Sequence, residues 1–159
     1  MVHSDNHRRA AAHAWSALLR VHARLVPRLD ADLRRAHGLP LAWYDVLLEL
    51  DGVDPLRMTD LGERVVLSRT RVSRLVTEMA AAGLVTRESN PDDGRSAFVA
   101  ITETGRTRLR EAAPRYHAGI AERFADRLDD DELAGLATTL TKILGPAELP
   151  LPGRNVTRE

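Results

Sequence analysis

Apolar residues recur along most of this chain at the three- and four-residue steps of an α-helix, and in one short region they alternate instead. Trp15, Leu18, Leu19, His22, Leu25, Val26, Leu29 and Leu33 keep the helical spacing, which predicts a long amphipathic helix over roughly 10–36. Pro27 is expected to bend or break it, and Gly38 to end it. A second helix is expected after Pro40, with Trp43, Val46, Leu47 and Leu50 inward, stopping before Asp51-Gly52. Met58 to Val65 reads as a short helix capped by Thr59, Val66-Leu67 as a turn, and Ser68 as the cap of a helix running to Gly83. Leu84 to Glu88 and Ala97 to Ile101 alternate as strands around "SNPDDGRS", a hairpin pattern. Thr102 then caps a long helix through Leu109, Tyr116, Ile120, Phe124 and Leu128, with Pro114 as a kink. The last helix starts at the aspartates 129–131, carries Leu133, Leu136, Leu140, Ile143 and Leu144, and ends at Gly145-Pro146.

The predicted class is mainly α with a small β-hairpin. A helix (1–36) precedes a helix-turn-helix with a β-wing (37–102). Two C-terminal helices (103–145) follow, then a proline- and charge-bearing tail (146–159) expected to be disordered. The long amphipathic helices at the two ends carry more apolar surface than the small middle region can cover, which points to a helical dimerisation region and a homodimer.

Composition narrows the options. At 159 residues the chain is expected to form one domain, with or without an extension. Hydrophobic residues make up 43% but aromatics only 4%, so the core is expected to be aliphatic and alanine-rich. Cysteine is absent, which removes disulfides, thiolate zinc sites, cysteine nucleophiles and thiol redox sensing. The N-terminal residues His3, Asp5, His7, Arg8 and Arg9 do not resemble a secretion signal, and no stretch approaches membrane-spanning length, so the expected location is cytoplasmic. The 23 basic and 23 acidic residues cancel, which excludes a generic polycation. Charge is nonetheless segregated: Arg69, Arg71 and Arg74 stand without an acid between Ser68 and Val76, while Asp126 to Glu132 is acidic.

On a helical wheel, Val72, Leu75, Val76 and Met79 share one face. Thr70, Ser73, Arg74 and Thr77 lie opposite, with Arg71 on the flank. Short hydroxyls and arginine near a helix N-terminus suit a DNA major groove, where the backbone must come close, although a solvated basic face has the same composition. In "NPDDGRS" the proline, aspartates and glycine make a tight turn that is expected to throw Arg95 to its tip, where a minor groove attracts arginine. Asp93 can pair with Arg95 to fix its direction, or the two can form a plain surface ion pair.

These residues resemble the MarR (multiple antibiotic resistance regulator) family of winged-helix transcription factors. The wing signature D-x-R-x-x-x-V-x-[LI]-T is matched by Asp93, Arg95, Val99, Ile101 and Thr102. "LSRTRVSRLV" matches the recognition helix, and "GLV" and "TETG" flank the wing; the likeness spans about residues 10–145. It implies a homodimer whose N-terminal helix and last two helices intertwine, presenting two recognition helices to palindromic half-sites of a double-stranded DNA operator about 34 Å apart. Ser68, Arg69, Thr70, Arg71, Ser73, Arg74, Thr77, Asp93 and Arg95 are the expected DNA contacts. The resemblance also implies a small aromatic or anionic effector in a cleft lined by the first, second and fifth helices. Trp15, His22, Trp43, Tyr44 and Met58 are candidates to line it, with plain core packing as the alternative for the aromatics.

No nucleophile triad, paired catalytic carboxylates, phosphate-binding glycine loop or metal triad is visible, so no enzyme, cofactor or metal site is expected. His3-x-x-x-His7 is read as part of a floppy terminal segment rather than as a metal site. The competing function is a helical protein-interaction module without DNA-binding activity, which the salt dependence of binding to random duplex would separate.

Overall fold

A computed structural model describes residues 2–65, 69–90 and 93–145, with side chains at 5–65, 70–89 and 97–145. The elements, in order, are α1 (Val2–His37), α2 (Leu41–Leu50), β1 (Leu56–Arg57), α3 (Met58–Arg64), α4 (Arg69–Ala81), β2 (Val85–Asn90), β3 (Asp93–Ile101), α5 (Glu103–Arg123), a 3-10 turn (Ala125–Arg127) and α6 (Asp130–Leu144). The three strands form one antiparallel sheet in the order β1-β3-β2. The class is the predicted one: mainly helical with a small β-wing.

The core lies where the last turns of α1, α2, α3, α4, the sheet and the first half of α5 meet. Leu33, Val46, Leu47, Leu61, Val72, Val76, Met79, Val99 and Ala112 are fully buried there. Each of the larger side chains removed from water contributes about 1.5–3 kcal/mol. In α2 the buried set is Leu41, Tyr44, Val46, Leu47 and Leu50, so Tyr44 takes the inward place expected of Trp43, which is only half-buried. Pro40 gives α2 no side-chain cap. Asp30 of α1 supplies one instead, accepting from the Leu41 backbone N–H at 2.8 Å.

Several expectations need correction. Helix α1 begins at Val2, not near residue 10, because the polar N-terminal segment lacks an apolar stripe but also lacks any helix breaker. Neither Pro27 nor Pro114 interrupts its helix. A proline frees the carbonyl four residues back, here Ala23 and Arg110, and both are exposed to water that can satisfy them. Thr59 is not a cap: its hydroxyl donates to Asp60, and α3 starts at Met58 as expected, with Arg57, two residues before Thr59, in the cap position and no side-chain cap bond. Leu56 and Arg57 are held extended against Val99 and Phe98 as β1, a two-residue strand too short to show any alternation. Helix α5 ends at Arg123 rather than running to Leu128, with no glycine or proline to announce the 3-10 turn. The turn at Val66-Leu67, the Ser68 cap and the 146–159 tail lie outside the described residues.

Gly83 ends α4 at φ +74°, a conformation that costs an L side chain, and Leu84 N–H then donates back to the Met79 carbonyl. Thr102 fastens this corner. Its hydroxyl donates to the Gly83 carbonyl (2.7 Å) and accepts from Gly105 N–H (3.0 Å), while its own N–H donates to the Leu84 carbonyl. A Cβ at Gly105 would run into that Leu84 carbonyl and the Ile101 side chain, so α5 can start here only on glycine. The end of α4 is thereby tied to the start of the long helix α5.

Candidate nucleic-acid interface

Helix α4 is held by one face. Val72, Val76 and Met79 are fully buried and Leu75 half-buried, as the spacing predicts. With that face locked, Thr70, Arg71, Arg74 and Thr77 stand exposed and Ser73 half-exposed on the other. Thr70, Ser73, Arg74, Thr77 and Glu78 line one shallow, open concavity along the helix. The Arg74 side chain is 84% exposed, with its Nε donating to Glu78 Oε1 at 3.1 Å. Thr77 Oγ1 donates to the Ser73 carbonyl at 2.9 Å. That commits the hydroxyl proton and leaves Thr77 an acceptor and a methyl to present outward.

Glu78 was not among the expected site residues. Its place four residues after Arg74 was the readable signal, since side chains at that spacing meet on a helix surface. Of Ser68 nothing is described, and for Arg69, Asp93 and Arg95 the side chains lie outside the described residues, so the expected Asp93–Arg95 pairing does as well.

The wing backbone is described on both sides of its turn. Val85 pairs with Ile101 and the ladder continues to Ser89 with Ala97, then shifts so that Asn90 pairs with Asp93. Three residues, 94–96, therefore intervene on β3 where none intervene on β2. Arg95 belongs to this irregularity just behind the tip, not to the turn itself. Such a bulge bends the strand and re-aims whatever it carries.

One basic, hydroxyl-rich helix face beside a projecting two-stranded ribbon is the geometry of a winged helix-turn-helix, and the comparisons place it. Residues 37–96 match the family model described as MarR family. An uncharacterized HTH-type transcriptional regulator of Bacillus cereus is 30% identical over 116 residues, 73% of this chain and 77% of that protein. The crystal structure of AbsC, a MarR family transcriptional regulator from Streptomyces coelicolor, superposes with a TM-score of 0.73 at 34% identity, covering 83% of this chain and 90% of that one. The chain belongs to the MarR family of transcriptional regulators. Sco3205, another MarR family regulator from Streptomyces coelicolor, solved in complex with DNA, is similar over 89% of this chain and 91% of its own at 29% identity, with a TM-score of 0.76.

Against this MarR fold the residues expected to line an effector cleft fall into two groups. Trp43 and Met58 are half-buried against the core, and Tyr44 is buried with its ring 4.6 Å from that of Tyr116. Burial pushes the Tyr44 hydroxyl up to about 12. Trp15, 61% exposed, and His22, also exposed, stand on the outer part of α1. At 1.5 Å per residue, Trp15 is about 27 Å along the axis from Leu33, where α1 enters the core. Within one chain the two groups are not brought together.

Two carboxylates near this region contrast sharply. Asp32 on α1 is 6% exposed, accepts a hydrogen bond from Arg115 of α5 (2.8 Å), and forms ion pairs with Arg123 of α5 (2.6 Å) and Arg35 (3.4 Å). The hydrogen bond from Arg115, with the charges of Arg123 and Arg35, holds its pKa below the usual carboxylate range despite burial. Asp45 on α2 has no hydrogen-bond or ion-pair partner among the described residues. Burial first, then the charge of Glu49, pushes it up to about 6. Among the described residues no helix is long and apolar enough to cross a membrane, and no three His, Asp or Glu side chains cluster as metal ligands would.

Proposed function

We propose that this MarR-family chain works as a homodimeric repressor. It lays α4 of each subunit into successive major grooves of a palindromic operator and brings Arg95 of each wing to the flanking minor groove. The single observation that carries the reading is the division of α4 into a fully buried face and an exposed face of Thr70, Arg71, Ser73, Arg74 and Thr77. Ser68 and Arg69, at the helix N-terminus, complete the set of contacts, where the positive end of the helix favours phosphate. Dimer formation is supported by what one chain leaves uncovered: Trp15, Leu18, Leu19 and Val21 on α1, and Ile143 and Leu144 on α6. A small aromatic or anionic effector, bound where a second subunit brings Trp15 and His22 of α1 toward Trp43, Tyr44 and Met58, releases the DNA by favouring a different spacing of the two α4 helices.

Selection from a randomised duplex pool is the test. Enrichment of an inverted repeat with half-site centres about 10 base pairs apart is expected. A single unrepeated site would overturn the dimeric reading, and no enrichment at all would overturn sequence-specific binding.

A further inference from the structure

Helix α4 carries a single acidic residue, Glu78, and it lies on the face that the proposed function turns toward a polyanion. A carboxylate there is repelled by every phosphate it approaches, so it lowers affinity for all duplexes alike. Its contribution to the helix does not explain its presence. An exposed Arg–Glu pair at i, i+4 stabilises a helix only slightly, and least when the basic residue comes first, as here.

What Glu78 does is constrain Arg74. An arginine that is 84% exposed would otherwise sample many rotamers, and fixing it on DNA costs affinity. In the free protein Glu78 Oε1 already takes the Nε–H at 3.1 Å. The engaged nitrogen is the one on the stem side of the guanidinium. The two terminal Nη groups are thereby left as an outward-pointing fork, the donor pair that reads guanine O6 and N7. The other oxygen, Glu78 Oε2, has no partner among the described residues, and a free carboxylate oxygen beside that fork suits the N4 amino group of cytosine.

We infer that Glu78 is a positioning residue for Arg74, and that the Arg74–Glu78 pair together reads one G·C base pair in each half-site, exchanging general DNA affinity for discrimination. The inference rests on the DNA-binding reading above and adds a residue and a base pair to it.

The experiment compares wild-type, Glu78→Ala, Glu78→Gln, Arg74→Ala and the Arg74→Ala/Glu78→Ala double variant. Each is titrated by fluorescence anisotropy at fixed salt on the duplex that wild-type protein enriches from a randomised pool, on that duplex with each base pair changed in turn, and on random duplex. Glu78→Ala is expected to bind random duplex more tightly than wild type. Its discrimination at one G·C position is expected to fall about 2- to 10-fold, the range set by re-freeing one arginine, and to stay unchanged elsewhere. Glu78→Gln, which retains an oxygen for Nε without the charge, is expected to recover part of that discrimination. In the Arg74→Ala background the Glu78→Ala change is expected to leave discrimination at that position unaltered. Discrimination that is unchanged in Glu78→Ala, lost evenly at all positions, or lost equally with and without Arg74 overturns the inference while leaving DNA binding intact. Failure of wild-type protein to enrich any sequence overturns both.

Discussion

Helices α4 and α6 are similar in length and both amphipathic, yet they end in opposite states. Every apolar side chain on the inner face of α4 finds cover within its own chain, and Val72, Val76 and Met79 lose all contact with water. Helix α6 has no buried residue at all: Leu133, Leu136 and Leu140 are half-covered, and Ile143 is 75% exposed. Local helix formation does not distinguish them. Asp129 and Glu132 form a full capping box, each side chain accepting from the other's backbone N–H, so α6 is well started. What differs is the partner. An apolar stripe that a capped helix leaves in water is surface prepared for another molecule, whereas a stripe already spent on the core frees its opposite face for contact work.

The comparison breaks most visibly in the core of the winged region. Val76→Asp would place an unpaired charge where nothing is exposed, and a loss of about 4–5 kcal/mol is expected, enough to unfold this region. A thermal melt followed by circular dichroism reads it; a melting temperature within a few degrees of wild type would mean that α4 is not anchored as described. Ile143→Asp makes the same change on α6, and the expected result is different in kind. Helix content is retained, while subunit association weakens by about 1–3 kcal/mol, roughly 5- to 150-fold in the dissociation constant. Sedimentation over a concentration series checks it, and an unchanged dimer, or a monomer at all concentrations for wild type as well, counts against α6 as a subunit face.

That contrast also explains what was readable in the residues. Periodicity located α4, its faces and the capping Thr102, because one face meeting one core leaves a clean stripe. It located α6 equally well but could not say what covers it, since a stripe looks the same whether it meets its own chain or another. Strand β1 escaped because two residues carry no period. Tyr44 and Trp43 exchanged roles because adjacent aromatics on α2 differ by only 100° of helix, and the core's shape decides which one enters. The register shift behind the wing tip, which puts Arg95 on a strand and not in the turn, is a pairing between two strands that alternation within either one does not encode. The Arg74–Glu78 pair was within reach of simple i, i+4 counting. Asp32 was not, because its partners Arg115 and Arg123 lie more than eighty residues away, and only the packing of α1 on α5 joins them.

At a finer scale, the contrast between satisfied and unsatisfied groups repeats in two carboxylates. Asp32 has three arginines, and Asp32→Ala is expected to cost on the order of 1–3 kcal/mol by stripping Arg115 and Arg123 of their shared acceptor. Because the folded pKa of Asp32 lies below its unfolded value, this stability is complete above the ordinary carboxylate range and disappears as pH falls through the lowered value. Urea unfolding at pH 7 and pH 5 is therefore expected to give the same gap between wild type and variant, shrinking only on stronger acidification. A gap that already closes at pH 5 would show that the arginines do not hold Asp32 ionised.

Asp45 runs the other way, with the smallest effect and the opposite sign. Its pKa rises from 3.8 to about 6, so the folded chain binds this proton more tightly than the unfolded chain does. The resulting stability is fully present below about pH 4 and is lost as pH rises through about 6. Above that, the fold carries an ionised, largely desolvated carboxylate with Glu49 one helical turn away. Asparagine imitates the neutral acid, so Asp45→Asn is expected to match wild type near pH 4 and to exceed it above pH 7. Two pKa units correspond to about 3 kcal/mol at most, and partial wetting of the carboxylate brings the expected gain nearer 1 kcal/mol. Urea midpoints at the two pH values measure it. The sign is the informative part, because the raised value belongs to a single chain. Should Asp45→Asn instead destabilise the protein at pH 7, a cation from outside the chain must sit against Asp45 in the working molecule, and α2 would join the proposed subunit face of α6 as a surface completed from outside the chain.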